Sequence, residues 1–149
     1  MNRLKKIKTL VGRSEIVSFP LLGIEAINAK IDTGAYSTAI HAPKIWVENS
    51  ESGEVLYFQL LDKNFEQGHR ICKTTSFYQK KVRSSNGRLE KRYIIKTPII
   101  IGGKKRVTHL SLTNRGKMRF PVLVGRRVLR KGFIVDVSEK NLHPVKSNK

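Results

Sequence analysis

Two widely separated stretches decide how this chain folds: Ile31-Asp32-Thr33-Gly34-Ala35, and Phe120-Pro121-Val122-Leu123-Val124-Gly125-Arg126-Arg127-Val128-Leu129. The first ends an apolar run with an Asp on a tight turn. Such a turn projects a carboxylate from a rigid scaffold: Thr33 is able to hydrogen-bond to backbone, and Gly34 lets the chain reverse without a Cβ clash. Taken alone, Asp-Thr-Gly is also an ordinary turn. The second stretch supplies an apolar strand, a glycine, an arginine and a short helical run, Arg126 to Lys131, that Gly132 is placed to cap.

Outward from these motifs, Val, Ile, Tyr, Phe and Thr gather in runs of strand length separated by turn residues, so a mostly β domain is predicted. Strands are expected at Thr9–Arg13, Glu15–Phe19, Leu22–Ile31, Glu54–Leu60, Cys72–Lys81, Arg88–Lys96, Ile99–Ile101, Arg106–Leu112, Val122–Val124 and Gly132–Val137. Asn49-Ser50-Glu51-Ser52-Gly53 reads as a polar loop. Ser84-Ser85-Asn86-Gly87 ends in the pair favoured in type I′ hairpins, and Gly102-Gly103 joins two apolar runs. With 149 residues the chain has room for one core. The expected layout is a basic N-terminal segment over 1–8, one domain over 9–138 and a flexible tail over 139–149.

Thirty Lys+Arg against 11 Asp+Glu leave a formal charge of +19. Nineteen of the basic residues, with Glu90 as the one acid, lie in residues 70–131. The excess decorates strands rather than a tail, and a polyanionic partner is expected. A lone Cys72 makes no intramolecular disulfide, Arg13 and Glu15 interrupt any signal-peptide core, and the longest apolar runs are strand-sized. A soluble, cytoplasmic protein with no membrane partner is expected.

The two motifs together resemble the retropepsin half-barrel, in which an Asp-Thr-Gly-Ala turn is followed by a flap hairpin, then strands, an apolar-Gly-Arg segment, a helix and a final strand. The order here matches over roughly residues 9 to 138. Ala29-Lys30-Ile31-Asp32-Thr33-Gly34-Ala35 with His41-Ala42, then Leu112-Thr113-Asn114-Arg115 and Phe120 to Arg126, look more closely like bacterial retropepsin-like proteins often labelled ATP-dependent zinc proteases. The resemblance implies a closed β-barrel half with a flap and one short C-terminal helix. It also implies an aspartic peptidase with Asp32, Thr33 and Gly34 at the catalytic turn. Some members of this group are associated with processing glutamate tails on a ribosomal protein, near ATP-grasp ligases that add them, which makes those two proteins possible partners.

Neither half of the zinc-protease label is written in the residues. Gly102-Gly103-Lys104 lacks the spacing and hydroxyl of a P-loop, and His41, His69, Cys72, His109 and His143 form no His-Glu-x-x-His or paired-Cys motif. No cofactor or metal is expected, although His69-x-x-Cys72 has the form of half a site. One departure from the viral pattern stands out. Where those proteins place an acid after the turn to pair with the Arg of Gly-Arg, this chain has Tyr36 and Ser37, leaving Arg126 without its expected partner.

Hydrolysis by this chemistry needs two carboxylates sharing a proton. One Asp-Thr-Gly supplies one, and neither Asp62 nor Asp136 looks like a second half, so a homodimer is expected. Ala35 cannot donate to the dyad, which favours protonation nearer neutral pH, while the surrounding positive charge favours ionisation. A mildly acidic optimum is the expectation. Acidic peptides are the expected substrates, with Ala35, Arg88, Lys91, Arg92 and Arg126 as candidate binding residues. The rival readings are an RNA- or ribosome-binding barrel, with Phe77, Tyr78 and Tyr93 among Lys80, Lys81, Arg83 and Arg92 as stacking residues, and an inactive protease-like interaction module. His41, Cys72 and Trp46 are read as packing residues.

Overall fold

The computed structural model describes residues 7–61, 70–83, 87–116 and 118–144. Twelve strands and one short helix follow in the order β1 (Thr9–Val11), β2 (Ser14–Phe19), β3 (Ile24–Ile31), β4 (Thr38–His41), β5 (Lys44–Ser50), β6 (Gly53–Leu60), β7 (Arg70–Thr74), β8 (Tyr78–Arg83), β9 (Leu89–Ile101), β10 (Lys104–Thr113), β11 (Val122–Val124), α1 (Arg126–Leu129) and β12 (Phe133–Val135). The mostly β expectation holds. The main sheet runs β10-β4-β11-β3-β2-β9-β8, and β10 also pairs with β9, so six of its strands form a ring with β8 as an outer branch. Closure is narrow where β2 meets β9, with Ser18 opposite Ile100 as the one register pair. Strands β5, β6 and β7 form a separate antiparallel sheet, and β1 pairs in parallel with β12.

Period-two patterning explains the ring. In β3, Ile27, Ala29 and Ile31 point inward while Asn28 and Lys30 face solvent. Phe19, Ile40, Ile99, Leu110, Val122 and Val124 complete the interior, and Leu56, Phe58 and Leu60 of β6 join the same cluster, so one core serves both sheets. The Leu61 amide also donates to the His41 carbonyl at 3.0 Å, tying the small sheet to β4.

Several strand boundaries differ from expectation. The strand expected from Leu22 begins at Ile24, because Pro20–Leu22 form a 3-10 turn closed by Gly23 at φ 70°. The single run expected over Cys72–Lys81 is two strands in different sheets. Thr74 Oγ1 accepts the Ser76 amide at 3.0 Å, a local turn that breaks the run. Runs expected separately at Arg88–Lys96 and Ile99–Ile101 are one strand, β9, passing through Pro98. A proline is tolerated in a ladder where its nitrogen is asked for no hydrogen bond. Strands β4 and β5 were not anticipated. Gly102 and Gly103, at φ 57° and 75°, make the tight β9–β10 reversal. Helix α1 stops at Leu129 rather than Lys131: Arg130 is extended and Lys131, not Gly132, takes the left-handed conformation at φ 70°.

Much of the N-terminal segment expected over 1–8, together with Ser84 to Asn86 of the flap turn and residues 145–149 of the expected tail, lies outside the described residues. The part of that tail over 139–144 is fastened to the barrel. Buried Glu15 accepts amides from Gly12 at 2.8 Å, Leu142 at 3.1 Å and His143 at 3.0 Å, and the Asn141 amide donates to the Ser14 carbonyl at 2.8 Å. At Gly12 the approach is so close that a Cβ would stand 2.5 Å from the Glu139 carbonyl oxygen.

Candidate active site

Asp32 sits where β3 ends, half-buried, on a turn clamped from two sides. Its own amide donates to the Val124 carbonyl at 2.9 Å, which continues the parallel β3–β11 pairing into the turn. Its Oδ1 accepts the Gly34 amide at 2.9 Å, and its carbonyl accepts the Ala35 amide at 3.3 Å. The start of α1 then closes over the turn: the Arg126 amide donates to the Ala35 carbonyl at 2.8 Å and the Arg127 amide to the Tyr36 carbonyl at 3.1 Å. The Gly125 amide donates to buried Thr38 Oγ1 at 3.2 Å. Gly125 is needed here for space rather than conformation. Its φ of −96° suits any residue, but a Cβ would lie 2.5 Å from the Ser37 carbonyl oxygen and 2.6 Å from that of Tyr36.

The replacement for the acid expected beside Arg126 is visible. Arg126 Nη1 donates to the Thr33 carbonyl at 3.0 Å, and its guanidinium lies 5.9 Å from the centre of the Tyr36 ring. Tyr36 thus supplies a cation–π face in place of the expected acid, and the arginine still braces the turn. Thr33 contributes through its carbonyl.

Beside the turn lies a cleft of about 380 Å³ bordered by Ala35, Tyr36 and Ser37 on one side and by the β8–β9 hairpin on the other. Its floor is a register row that crosses four strands, Leu123 to Ala39 to Ser111 to Ile94. Lys80, Arg83, Arg92 and Arg115 line it, and among the described residues no acid does. Lys80 and Arg92 stand directly opposite each other in the ladder. A second hollow of about 430 Å³ opens next to Ile31 and is lined by Arg13, Lys30, Arg115, Arg119 and Lys140. Arg115 borders both. Burial first, and then Arg92, push its guanidinium below the usual value, while Asp32 pulls it back up, which places Arg115 within electrostatic reach of the candidate catalytic carboxylate.

Of the residues expected to bind substrate, Ala35 and Arg92 line the cleft, and Arg126 braces the turn behind it. Arg88 and Lys91 are exposed farther along the hairpin, outside that lining. Lys80 and Arg83 were singled out only for the RNA-binding reading, and Arg115 and Ser111 were missed. The basic run containing Lys80 and Arg83 was a signal that something anionic binds there. Arg115 stood in the Leu112-Thr113-Asn114-Arg115 stretch with no role attached.

The remaining chemistry-bearing residues are engaged elsewhere. His41 Nδ1 accepts the Arg115 amide at 2.7 Å, so the buried histidine positions the Arg115 loop. His109 Nδ1 and Tyr78 Oη are 2.7 Å apart, and burial, Arg127 and Lys96 hold this imidazole below its usual pKa. His143 Nε2 lies 2.7 Å from the Leu10 carbonyl. Burial pushes the Cys72 thiol up despite Arg70, which makes it a poor nucleophile. His69 and Asp62 lie outside the described residues, among which no three His, Cys, Asp or Glu side chains converge. Asp136 accepts the Ser138 amide and hydroxyl at 2.9 Å and 2.6 Å, which hold its carboxyl below the usual range in an exposed turn. Phe77 and Tyr93 pack on each other with ring centres 6.0 Å apart, partly buried against the core, rather than presenting open stacking faces. Trp46 stacks on Tyr57 at 5.4 Å across the small sheet.

Among the described residues no helix is long and apolar enough to cross a membrane. Residues 10–146 match the family model described as "Retropepsin-like aspartic endopeptidase RimB". A Shewanella halifaxensis protein named "Probable alpha-L-glutamate ligase" is 35% identical over 135 residues, which are 89% of this chain and 29% of that protein. A Desulfotalea psychrophila protein of the same name is 32% identical over 130 residues, 87% of this chain and 28% of the relative. The chain therefore spans under a third of the length of these curated relatives. A solved Legionella pneumophila structure of unknown function superposes with a TM-score of 0.72 at 24% identity, covering 91% of this chain and 98% of that one.

Proposed function

The chain belongs to the retropepsin-like aspartic endopeptidase family, and from that membership we propose that it is an aspartic peptidase, active as a homodimer, that cleaves acidic polypeptides rich in glutamate. The observation that carries the reading is the interlock of the Asp32 turn with Gly125 and Arg126. It holds one carboxylate rigidly beside a cleft lined by cations.

One Asp-Thr-Gly turn per copy supports a homodimer as the source of the second carboxylate. With Asp32 of each copy side by side, like charges disfavour double ionisation and one proton is shared. The ionised carboxylate takes a proton from water as the water oxygen bonds to the scissile carbonyl carbon, and the protonated one gives its proton to the carbonyl oxygen. The carbon–nitrogen bond then breaks as the proton gained from water passes to the departing nitrogen, and a hydroxyl proton of the tetrahedral carbon returns to the second carboxylate as the new carboxyl group forms. Asp136 is a poor candidate for the second carboxylate, because its Ser138 bonds favour the ionised form and hold it in its own turn.

The cations favour an acidic substrate by raising its local concentration and its rate of encounter. The name of the curated relatives supports glutamate in particular: proteins named for ligating glutamate carry a region like this chain within the same polypeptide. A ribosomal-protein tail, an ATP-grasp ligase partner and a cytoplasmic site of action fit the same reading, and nucleic acid is a secondary partner. A mildly acidic optimum is proposed, against which a rate flat from about pH 4 to 8 would count. The direct test is Asp32→Asn, with sedimentation of both proteins and hydrolysis of glutamate-rich peptides followed by mass spectrometry. Loss of hydrolysis with the dimer retained is expected. Unchanged hydrolysis, or full activity from a monomer, refutes the mechanism.

A further inference from the structure

Ser111 is 3% exposed, on β10 in the middle of the cleft floor, and its hydroxyl has no hydrogen-bond partner among the described residues. Its register neighbours on either side are Ala39 and Ile94, which offer it no acceptor. A buried hydroxyl without an acceptor carries a desolvation cost that alanine would avoid. Arg92 presents a second orphan in the same cleft: its Nε is buried without a partner, and its Nη2 lies 3.6 Å from Glu90, longer than a hydrogen bond.

These two donors are neighbours. Ser111 is opposite Ile94 in the β9–β10 ladder, and Arg92 is two residues before Ile94 on the same strand face. Such diagonal positions are about 7–8 Å apart, well within the reach of an arginine side chain. Lys80, directly across from Arg92, adds a like charge that has no acid opposite it. Among the described residues the cleft thus holds two donors without a hydrogen-bond partner and an excess of positive charge that the Arg92–Glu90 ion pair offsets only in part.

We propose that Ser111 and Arg92 form a carboxylate-binding subsite that takes one acidic side chain of the peptide substrate, an assignment that rests on the peptidase reading above. One carboxylate oxygen accepts the Ser111 hydroxyl and the other the Arg92 Nε–H, and the bound charge relieves the repulsion between Arg92 and Lys80. A carboxylate meets this demand better than an amide, because an amide turns a donor toward one of the two protein donors.

The assignment separates specificity from stability. Ser111→Ala removes a hydroxyl that the free protein leaves unsatisfied, so its melting temperature equals or exceeds that of the parent. Meanwhile the ratio of kcat/KM for a glutamate peptide over the matched glutamine peptide falls about tenfold, the effect of one hydrogen bond to a charged group. Arg92→Gln lowers the same ratio further. Thr108→Val is the control: Thr108 is another buried hydroxyl without a partner among the described residues, but it lies outside the cleft lining, and the ratio stays at the parental value. A parental ratio in Ser111→Ala overturns the subsite.

A binding arm keeps the outcome independent of turnover. In an Asp32→Asn background, fluorescence anisotropy gives affinities for the labelled glutamate and glutamine peptides with and without Ser111→Ala. A Ser111-dependent preference of about tenfold for glutamate, with no hydrolysis by the parent, sinks the peptidase and keeps the subsite. Hydrolysis with no Ser111 dependence in either arm keeps the peptidase and sinks the subsite.

Discussion

Gly125→Ala tests the interlock that holds the catalytic turn. The added Cβ would meet the Ser37 carbonyl oxygen at 2.5 Å, the Tyr36 carbonyl oxygen at 2.6 Å and the Tyr36 carbonyl carbon at 2.7 Å. All three are backbone atoms, so no side chain can swing aside. Restoring an ordinary contact separates α1 from the Asp32 turn by about 0.9 Å, which lengthens the Arg126-to-Ala35 bond from 2.8 Å to about 3.7 Å. The Arg127-to-Tyr36 and Gly125-to-Thr38 bonds, at 3.1 and 3.2 Å, stretch out of range with it. Three bonds at roughly 1 kcal/mol each put the loss at about 2–4 kcal/mol, a large share of the stability of a domain this size. Urea denaturation followed by Trp46 fluorescence and circular dichroism measures it. Because a misplacement of about 1 Å at a reacting group costs on the order of a hundredfold in rate, peptide hydrolysis should fall by at least that factor even in the folded variant. A loss under about 0.5 kcal/mol with parental turnover would refute the claim that this contact sets the turn.

Arg126→Lys keeps the charge but loses both the fork that reaches the Thr33 carbonyl and the flat face above Tyr36. It should cost under about 1 kcal/mol of stability at this exposed position and a larger factor in kcat than in KM by steady-state kinetics. Glu15→Gln sets an amide group among three backbone donors, so denaturation should show a loss of about 2–4 kcal/mol and hydrogen exchange should show faster opening at Leu142 and His143. Ser138→Ala removes a bond that depresses the Asp136 pKa. The depressed carboxyl adds stability that is present above its unfolded value near 3.9 and lost as pH falls through the folded one. The variant should therefore be less stable than the parent at pH 7, and the gap should close below about pH 4 in a melting series.

What the sequence disclosed was local. The Asp32 turn, the Gly102-Gly103 reversal and the Gly125-Arg126 segment each carry their geometry in adjacent residues, and all were placed correctly. Pairing was not local. Cys72 to Lys81 reads as one strand because nothing in it announces that β7 joins β6 while β8 joins β9. Strand β4 escaped notice because all four of its residues are buried, which erases the alternation that marks a half-buried strand. The fastening of residues 139–144 depends on a single carboxylate, Glu15, met from the far end of the chain. Arg126 lacked an obvious partner for the same reason, since Tyr36 meets it only through the fold and by a ring rather than a charge.

The placement of charge on the hairpin bears on the proposed acidic-substrate reading. Solubility is served by mixed signs spread over a surface, and cross-strand pairs in a stable hairpin favour opposite charges. Here Lys80 faces Arg92 on one side of the β8–β9 hairpin and Lys81 faces Lys91 on the other, while Glu90, opposite Val82, pairs with Arg92 at 3.6 Å. Exchanging a single lysine for glutamate would turn either pair from repulsive to attractive. The Lys81–Lys91 repulsion has no acid paired to it among the described residues and the Lys80–Arg92 repulsion is offset in part by Glu90, so on the proposed reading an acidic side chain entering the cleft would relieve what remains. On that reading the positive charge has a role that a general affinity for polyanions would not require: the relief should be largest for a ligand that places its carboxylate between Ser111 and Arg92.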